Sequence, residues 1–238
     1  MSTRTIKQRF PGVVIAGALL LGLVACQTSP PPAESESPAT PGVFAIPAGS
    51  TEYRVSAQDS RLRILVYRGG PMAKLGHNHL IASNGLEGSV YVTDDPLRTR
   101  FDVSFPVNEL SVDEPAMREQ AGPEFANVVP QNARDGTRGN LLSAALLDGA
   151  NYPTIRLRAL DVAAAGEGYD VGVEITIKDQ VHTVRVPVTL RREEGSLVAS
   201  GEFPLKQSEL GLKPFTAAMG ALAVVDEMKV RFEVVARR

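Results

Sequence analysis

From residue 51 onward the chain alternates apolar and polar side chains with a period of two. Leu62, Ile64 and Val66 alternate with Arg61, Arg63 and Leu65, and Phe101, Val103, Phe105 and Val107 with Asp102, Ser104 and Pro106. Val171, Val173, Ile175 and Ile177 alternate with Asp170, Gly172, Glu174 and Thr176, and Val184, Val186, Val188 and Leu190 with Thr183, Arg185, Pro187 and Thr189. A last run sets Val230, Phe232 and Val234 against Arg231 and Glu233. Successive side chains of a strand point to opposite faces, so each run predicts a strand with one buried and one wet face, as in antiparallel sheets. With 52–57, 86–93, 154–162 and 196–205 added, about nine strands are predicted, punctuated by Gly69-Gly70, Asp95-Pro96, Gly166 to Gly168, and Gly195. Helical spacing occurs only between Pro115 and Leu147, best in Gly139 to Leu147, where Leu141, Leu142, Ala145 and Leu146 would share a face. No stretch of 20–50 residues repeats, which excludes solenoids and propellers. The pattern leaves a sandwich or a closed barrel. About nine strands in one sheet would expose two edges unless the sheet closes, which favours the barrel.

The first fifty residues follow a different rule. Arg4, Lys7 and Arg9 precede the apolar run Val13 to Leu23, which Leu23-Val24-Ala25-Cys26 closes. The run is too short to cross about 30 Å of hydrocarbon, which takes roughly 20 apolar residues. Residues 1–25 therefore read as a signal peptide. The closing tetrapeptide resembles the lipobox of bacterial lipoproteins, and the chain's single cysteine stands at its acylated position. Gln27 follows where an aspartate would favour retention in the inner membrane, so the expected address is the periplasmic side of the outer membrane, with Cys26 carrying the lipid. Residues 26–50 are rich in Pro, Ser, Thr and Glu and read as a solvated tether. Residues 51–238 form the folded domain.

Composition narrows the function. One cysteine excludes an internal disulfide and a cysteine-based zinc cluster. Without the three basic residues of the signal peptide, 22 basic residues face 27 acidic ones, a net charge of −5. That balance, together with 5% aromatic residues, argues against nucleic acid and against adhesion to anionic lipid by charge. Membrane attachment then rests on acyl chains. No nucleophile elbow, phosphate loop or dinucleotide fingerprint is present, so no catalytic residue is assigned. The carboxylate pairs Asp94-Asp95 and Glu193-Glu194 are adjacent and read as solvated turn residues.

Several stretches, taken in order, resemble the YceI-like family of periplasmic polyisoprenoid-binding barrels. Tyr53-Arg54-Val55 through Arg61-Leu62-Arg63-Ile64 is similar to that family's first hairpin. Leu75-Gly76-His77-Asn78-His79 with Gly85-Leu86-Glu87-Gly88 is similar to its entrance loop and second strand. Asn140-Leu141-Leu142-Ser143-Ala144, Leu147-Asp148 and Tyr152-Pro153-Thr154-Ile155 resemble its short helix and the strand that follows. The pair Val171–Ile177 and Val184–Leu190 resembles its central hairpin, although Asp179-Gln180 stands where an Asn-Gly-like turn is usual. The resemblance covers roughly 51–236. It implies an all-β fold, an antiparallel up-and-down, lipocalin-like β-barrel with one or two short helices and an apolar tunnel. It also implies a non-catalytic protein that holds an isoprenoid chain, a quinone or a polyprenyl phosphate.

The residues themselves point the same way. An eight-stranded barrel either fills its interior with side chains or holds a ligand, and the inward positions here are mostly Val, with a few Phe and no Trp. The candidate lipid contacts are Ile64, Val66, Phe101, Val103, Phe105, Val171, Val173, Ile175, Val184, Val186, Phe203, Val230 and Phe232. Arg134 and Arg138 are candidates for a diphosphate head group against a solvated-face reading, and Tyr152-Pro153 reads as a strand start. His77 and His79 share one side of an extended segment, and His182 shares a strand face with Val184 and Val186. Three imidazoles with an open fourth position suit zinc or another divalent metal. A periplasmic metal- or haem-binding protein is therefore the second reading, and a polar gate at the tunnel mouth is the plainer role for the histidines.

Overall fold

The computed structural model describes residues 44–238. The segment read as a signal peptide (1–25), the expected acyl site Cys26 and most of the stretch read as a tether (26–50) lie outside the described residues. Phe44, in the stretch read as tether, lies against Tyr91 with ring centroids 6.1 Å apart and under the Arg158 guanidinium at 5.6 Å.

The alternating runs all become strands. In chain order these are β1 (Thr51–Val55), β2 (Arg61–Gly69), β3 (His79–Ser83), β4 (Glu87–Val92), β5 (Arg100–Pro106) and β6 (Ser111–Val112), then helices α1 (Pro115–Ala121) and α2 (Gln131–Leu142). β7 (Thr154–Ala165), β8 (Gly168–Ile177), β9 (Gln180–Glu193), β10 (Ser196–Lys206), β11 (Thr216–Ala217) and β12 (Leu222–Arg237) complete the fold. Eight strands close an antiparallel ring in the order β1-β4-β5-β7-β8-β9-β10-β12. The ring is sealed by Arg54↔Arg237 and Val55↔Ala236. Order around the ring follows order in sequence, so the expected up-and-down barrel is the one found. β12 serves two partners on that side: β1 at its C-terminal end, and β2 from Glu233↔Arg61 up to Ala223↔Gly69. β3 and β6 extend the sheet beyond β2.

Turn chemistry sets the register. β8 and β9 meet through Lys178 and Asp179, both with positive φ (51° and 57°), between Ile177 and its partner Gln180. That is the twist a two-residue hairpin requires, and it places the turn one residue earlier than Asp179-Gln180. Gly88 in β4 has φ 129°, and a Cβ there would sit 2.2 Å from the Asp102 carbonyl oxygen on β5. Gly88→Ala is expected to cost at least about 1–3 kcal/mol in urea unfolding, from backbone strain alone. An unchanged midpoint would contradict this close approach.

The structure corrects two expectations. Alternation assigns Leu65 to the wet face of β2 with Arg61 and Arg63, yet it is only 1% exposed. It belongs to a second core with Leu80, Ala82 and Phe125, against which Tyr67, Met117 and Ala121 pack. The reason is that α1 and the Pro123–Phe125 turn cover the outer face of β2 and β3. Both faces of β3 are thereby buried, its alternation disappears, and this strand escapes a period-two search. The main helix is likewise displaced from Gly139–Leu147 to Gln131–Leu142. Ser143 turns to extended backbone, Ala145 is exposed, and Leu146 and Leu147 reach the barrel from a turn held by Asp148 N–H to Ser143 O and Gly149 N–H to Leu142 O. A run of leucines aimed at one cavity imitates helical spacing. Among the described residues no helix is long and apolar enough to cross a membrane.

Candidate functional site

The inward faces of the ring do not fill its interior. A cavity of about 390 Å³ runs along the barrel. At the end where β12 begins it is lined by Leu141, Leu146 and Leu147 from α2 and the turn after it, and by Leu210, Leu212 and Phe215 from the segment after β10. At the other end lie Thr99, Val162, Tyr169 and Leu190. Phe215 lines the cavity and is also exposed, which marks an opening at the α2 end. Phe203 and Phe232 meet edge-on across β10 and β12, with ring centroids 6.5 Å apart.

Twelve of the thirteen positions read as lipid contacts line this cavity: Ile64, Val66, Phe101, Val103, Phe105, Val171, Val173, Ile175, Val186, Phe203, Val230 and Phe232. Val184 does not; it packs, partly buried, against the barrel core. Positions overlooked in the sequence include Leu62, Ile81, Leu86, Leu110, Ile155 and Leu205. Leu62, Ile155 and Leu205 continue the alternating faces of Ile64, Leu157 and Phe203, whereas Ile81, Leu86 and Leu110 sit on a strand or turns whose alternation is short or broken, so no periodic signal marks their inward direction.

The polar part of the wall is small: His79, Thr99, Thr137, Asn140, Tyr169 and Gln207. Among the described residues no Lys, Arg, Asp or Glu lines the cavity. Thr137 donates its hydroxyl to Ala133 O at 3.0 Å, and Gln207 donates Nε2–H to Val225 O at 2.9 Å, so both are satisfied by backbone. Arg138 donates to the carbonyls of Leu110 and Asn108, and Arg134 to Gln131. Neither arginine lines the cavity, although the Arg134 Nε is buried without a partner, so the head-group role has no geometric support there.

His79 is built differently. It opens β3 on the same face as Ile81, and its Nδ1 lies 2.6 Å from Asp113 Oδ2. Asp113 follows β6 in a left-handed conformation (φ 56°), and its side chain is completely buried. Its Oδ1 accepts from the Leu80 N–H at 2.8 Å and from Arg118 of α1 at 2.5 Å. Arg118, itself buried, also donates to Asn78 O at 2.7 Å and Asn127 O at 3.1 Å and lies 5.7 Å from the Phe125 ring centre. Burial by itself would raise the Asp113 pKa. Hydrogen bonds from His79, Leu80 and Arg118 outweigh it and hold the carboxyl below its ordinary value. Nothing in the sequence flags this cluster, because its members are separated by 34 and 5 residues.

The three histidines do not meet. The rings of His77 and His79 are 6.3 Å apart. His77 is pushed below its ordinary pKa, first of all by burial. His182 lies beside Gly211, and its Nε2 is buried without a partner. Among the described residues no three His, Cys, Asp or Glu side chains stand close enough to share a metal ion. His182 pairs with Ile175 across β8 and β9, whereas alternation along a strand leaves open where around the barrel His77 and His79 sit.

The YceI-like domain model matches residues 53–236. Among solved structures, Burkholderia cenocepacia BcnA superposes with a TM-score of 0.56 at 17% identity, covering 76% of this chain and 99% of that one. A Campylobacter jejuni YCEI protein is 12% identical, with a TM-score of 0.43 over 64% of this chain and 81% of that one. No curated protein matches the chain. The likeness to BcnA is one of fold, and the domain match runs from Tyr53 in β1 to Ala236 in β12, taking in the six ring strands between them, β2 and β3, and both helices. On that match the chain belongs to the YceI-like family.

Proposed function

We propose that this protein is a lipid-anchored carrier of the bacterial envelope, holding an isoprenoid chain inside its barrel without chemically altering it. One observation carries the reading: a cavity of about 390 Å³ runs the length of the barrel and is walled almost wholly by Val, Leu, Ile and Phe. The family is one of barrels that bind hydrophobic ligands. Each buried CH₂ of a ligand contributes about 0.8 kcal/mol, so such a wall favours a long hydrocarbon over a small polar molecule. The volume lies within the usual range of ligand sites.

The test is organic extraction and native mass spectrometry of the protein purified without detergent. An isoprenoid lipid in stoichiometric amount is the expected result. An empty cavity under these conditions, together with failure of isoprenoids to bind on addition, would overturn the reading. The address is tested separately. Cys26→Ser is expected to move the folded domain from the outer-membrane fraction to the soluble periplasm, because acyl chains are the proposed attachment. Continued fractionation with the outer membrane would place the anchor elsewhere.

A further inference from the structure

From the arrangement of His79, Asp113 and Arg118 we infer that the cavity has a built head-group subsite, and that it selects a ligand ending in a hydroxyl, such as a prenol or hydroquinone, over a phosphate. This rests on the carrier reading and sharpens it.

Arg118 and the Leu80 N–H can only donate, and both do so to Asp113 Oδ1. Asp113 is thus an ionised acceptor, and the short contact at its Oδ2 must be filled by a proton on His79 Nδ1. The carboxylate fixes the tautomer, as an orienting acid does wherever one ring nitrogen is held and the other left for work. Arg118 compensates the charge of Asp113, so the assembly behind the imidazole is a neutral pair fixed by α1 and β6. The ring itself lines the cavity. With Nδ1 engaged, Nε2 is the nitrogen left for the contents of the barrel, and in the neutral ring it is an acceptor.

An acceptor in an apolar wall recognises an O–H. It gives nothing to an ether or a carbonyl, and it repels an anion. The rest of the wall points the same way. Among the described residues no lysine or arginine lines the cavity, and the nearby Arg118 is buried outside that lining, its two Nη groups donating to Asp113, Asn78 and Asn127 and its Nε left without a partner. A phosphate drawn into the barrel would find no counter-charge, and burying it unpaired is costly.

The experiment uses three probes with one C20 isoprenoid chain: the free alcohol, its methyl ether and its monophosphate. Binding to the delipidated protein is measured at pH 8 by displacement of a fluorescent apolar reporter. The alcohol is expected to bind about tenfold more tightly than the ether, since the ether leaves a buried acceptor unpaired. In His79→Phe, which keeps a ring of similar shape, the difference should vanish while the ether binds as before. Equal binding of alcohol and ether in the unaltered protein, or tighter binding of the phosphate, overturns the subsite and leaves the carrier reading standing. Failure of all three probes overturns the carrier reading itself. Should His79→Phe not fold, ¹⁵N NMR of the histidine side chains in the unaltered protein decides instead. The expected result is a proton on Nδ1 of His79 and an Nε2 resonance that moves with the alcohol but not with the ether. A proton on Nε2 in the free protein overturns the proposal.

Discussion

Asp113→Ala is expected to lower the unfolding free energy by about 3–5 kcal/mol, because it leaves Arg118 buried without its counter-charge. The side chain of Asp113 is fully buried and that of Arg118 is 5% exposed, so water cannot replace the lost partner. The Leu80 N–H loses its side-chain acceptor at the same time. Alanine also tolerates the left-handed backbone at this position poorly, which adds about 1–2 kcal/mol. Asp113→Asn keeps an acceptor and suits that backbone, so it should cost less. Adding Arg118→Leu to Asp113→Ala should recover part of the loss, since the unpaired charge goes with it. Urea unfolding of the three variants measures this, and a single variant within about 0.5 kcal/mol of the unaltered protein, the size of an ordinary surface substitution, would remove the buried pair as a stability determinant.

The same group sets an acid limit. Asp113 is held below its ordinary value of 3.8, and so is Asp102, where the Arg156 and Arg158 guanidinium groups outweigh the effect of burial. A carboxyl with a depressed pKa in the fold contributes its full stabilisation above the unfolded value and loses it as pH falls through the folded one. Stability should therefore be level near neutrality and decline below about pH 4. Asp113→Ala should show a shallower decline over that interval.

Saturating the delipidated barrel with an isoprenoid should raise its melting temperature by about 8–16 °C. Ligand at a thousandfold excess over its dissociation constant adds about 4.1 kcal/mol, and a domain of this size gains about 2–4 °C per kcal/mol. The driving force is the unfilled interior. At about 24 cal/mol per Å³, a cavity of 390 Å³ forgoes on the order of 9 kcal/mol of contacts when empty, of which the ligand restores a part. Val173→Phe combined with Val186→Phe puts two phenyl groups into that space from β8 and β9. The double variant should be no less stable than the empty barrel, while its thermal response to ligand should largely disappear. An unchanged response would mean that the ligand binds outside the barrel.

The strands around the ring were legible because each has one wet and one apolar face, and that asymmetry is written directly as alternation. Val171 to Ile177 and Val184 to Leu190 pair in the structure as their pattern implies, with Val173 opposite Val184 and Val171 opposite Val186. The inward direction of twelve of the thirteen chosen side chains followed from the same periodicity. β3 was missed for the complementary reason. Covered by α1 on one side and by the barrel on the other, it has no wet face to alternate against. Leu65 misled in the same way, and the leucines after α2 imitated a helix because they converge on the cavity from a turn.

The sequence by itself determined the strand periodicity and the all-β class, and its strand count and few bulky inward side chains favoured a closed barrel with a hollow interior, since these follow from local patterning and residue volume. Tertiary structure alone decided how the chemistry is arranged. Alternation specifies which way His79 and His182 point but not where around the ring they sit, and that position depends on strand order. Likewise, the contact of Asp113 with His79 and Arg118 exists only because β6 pairs with β3 while α1 folds back over both. Charges so far apart along the chain acquire a common purpose only when burial removes the water that would otherwise solvate each of them separately.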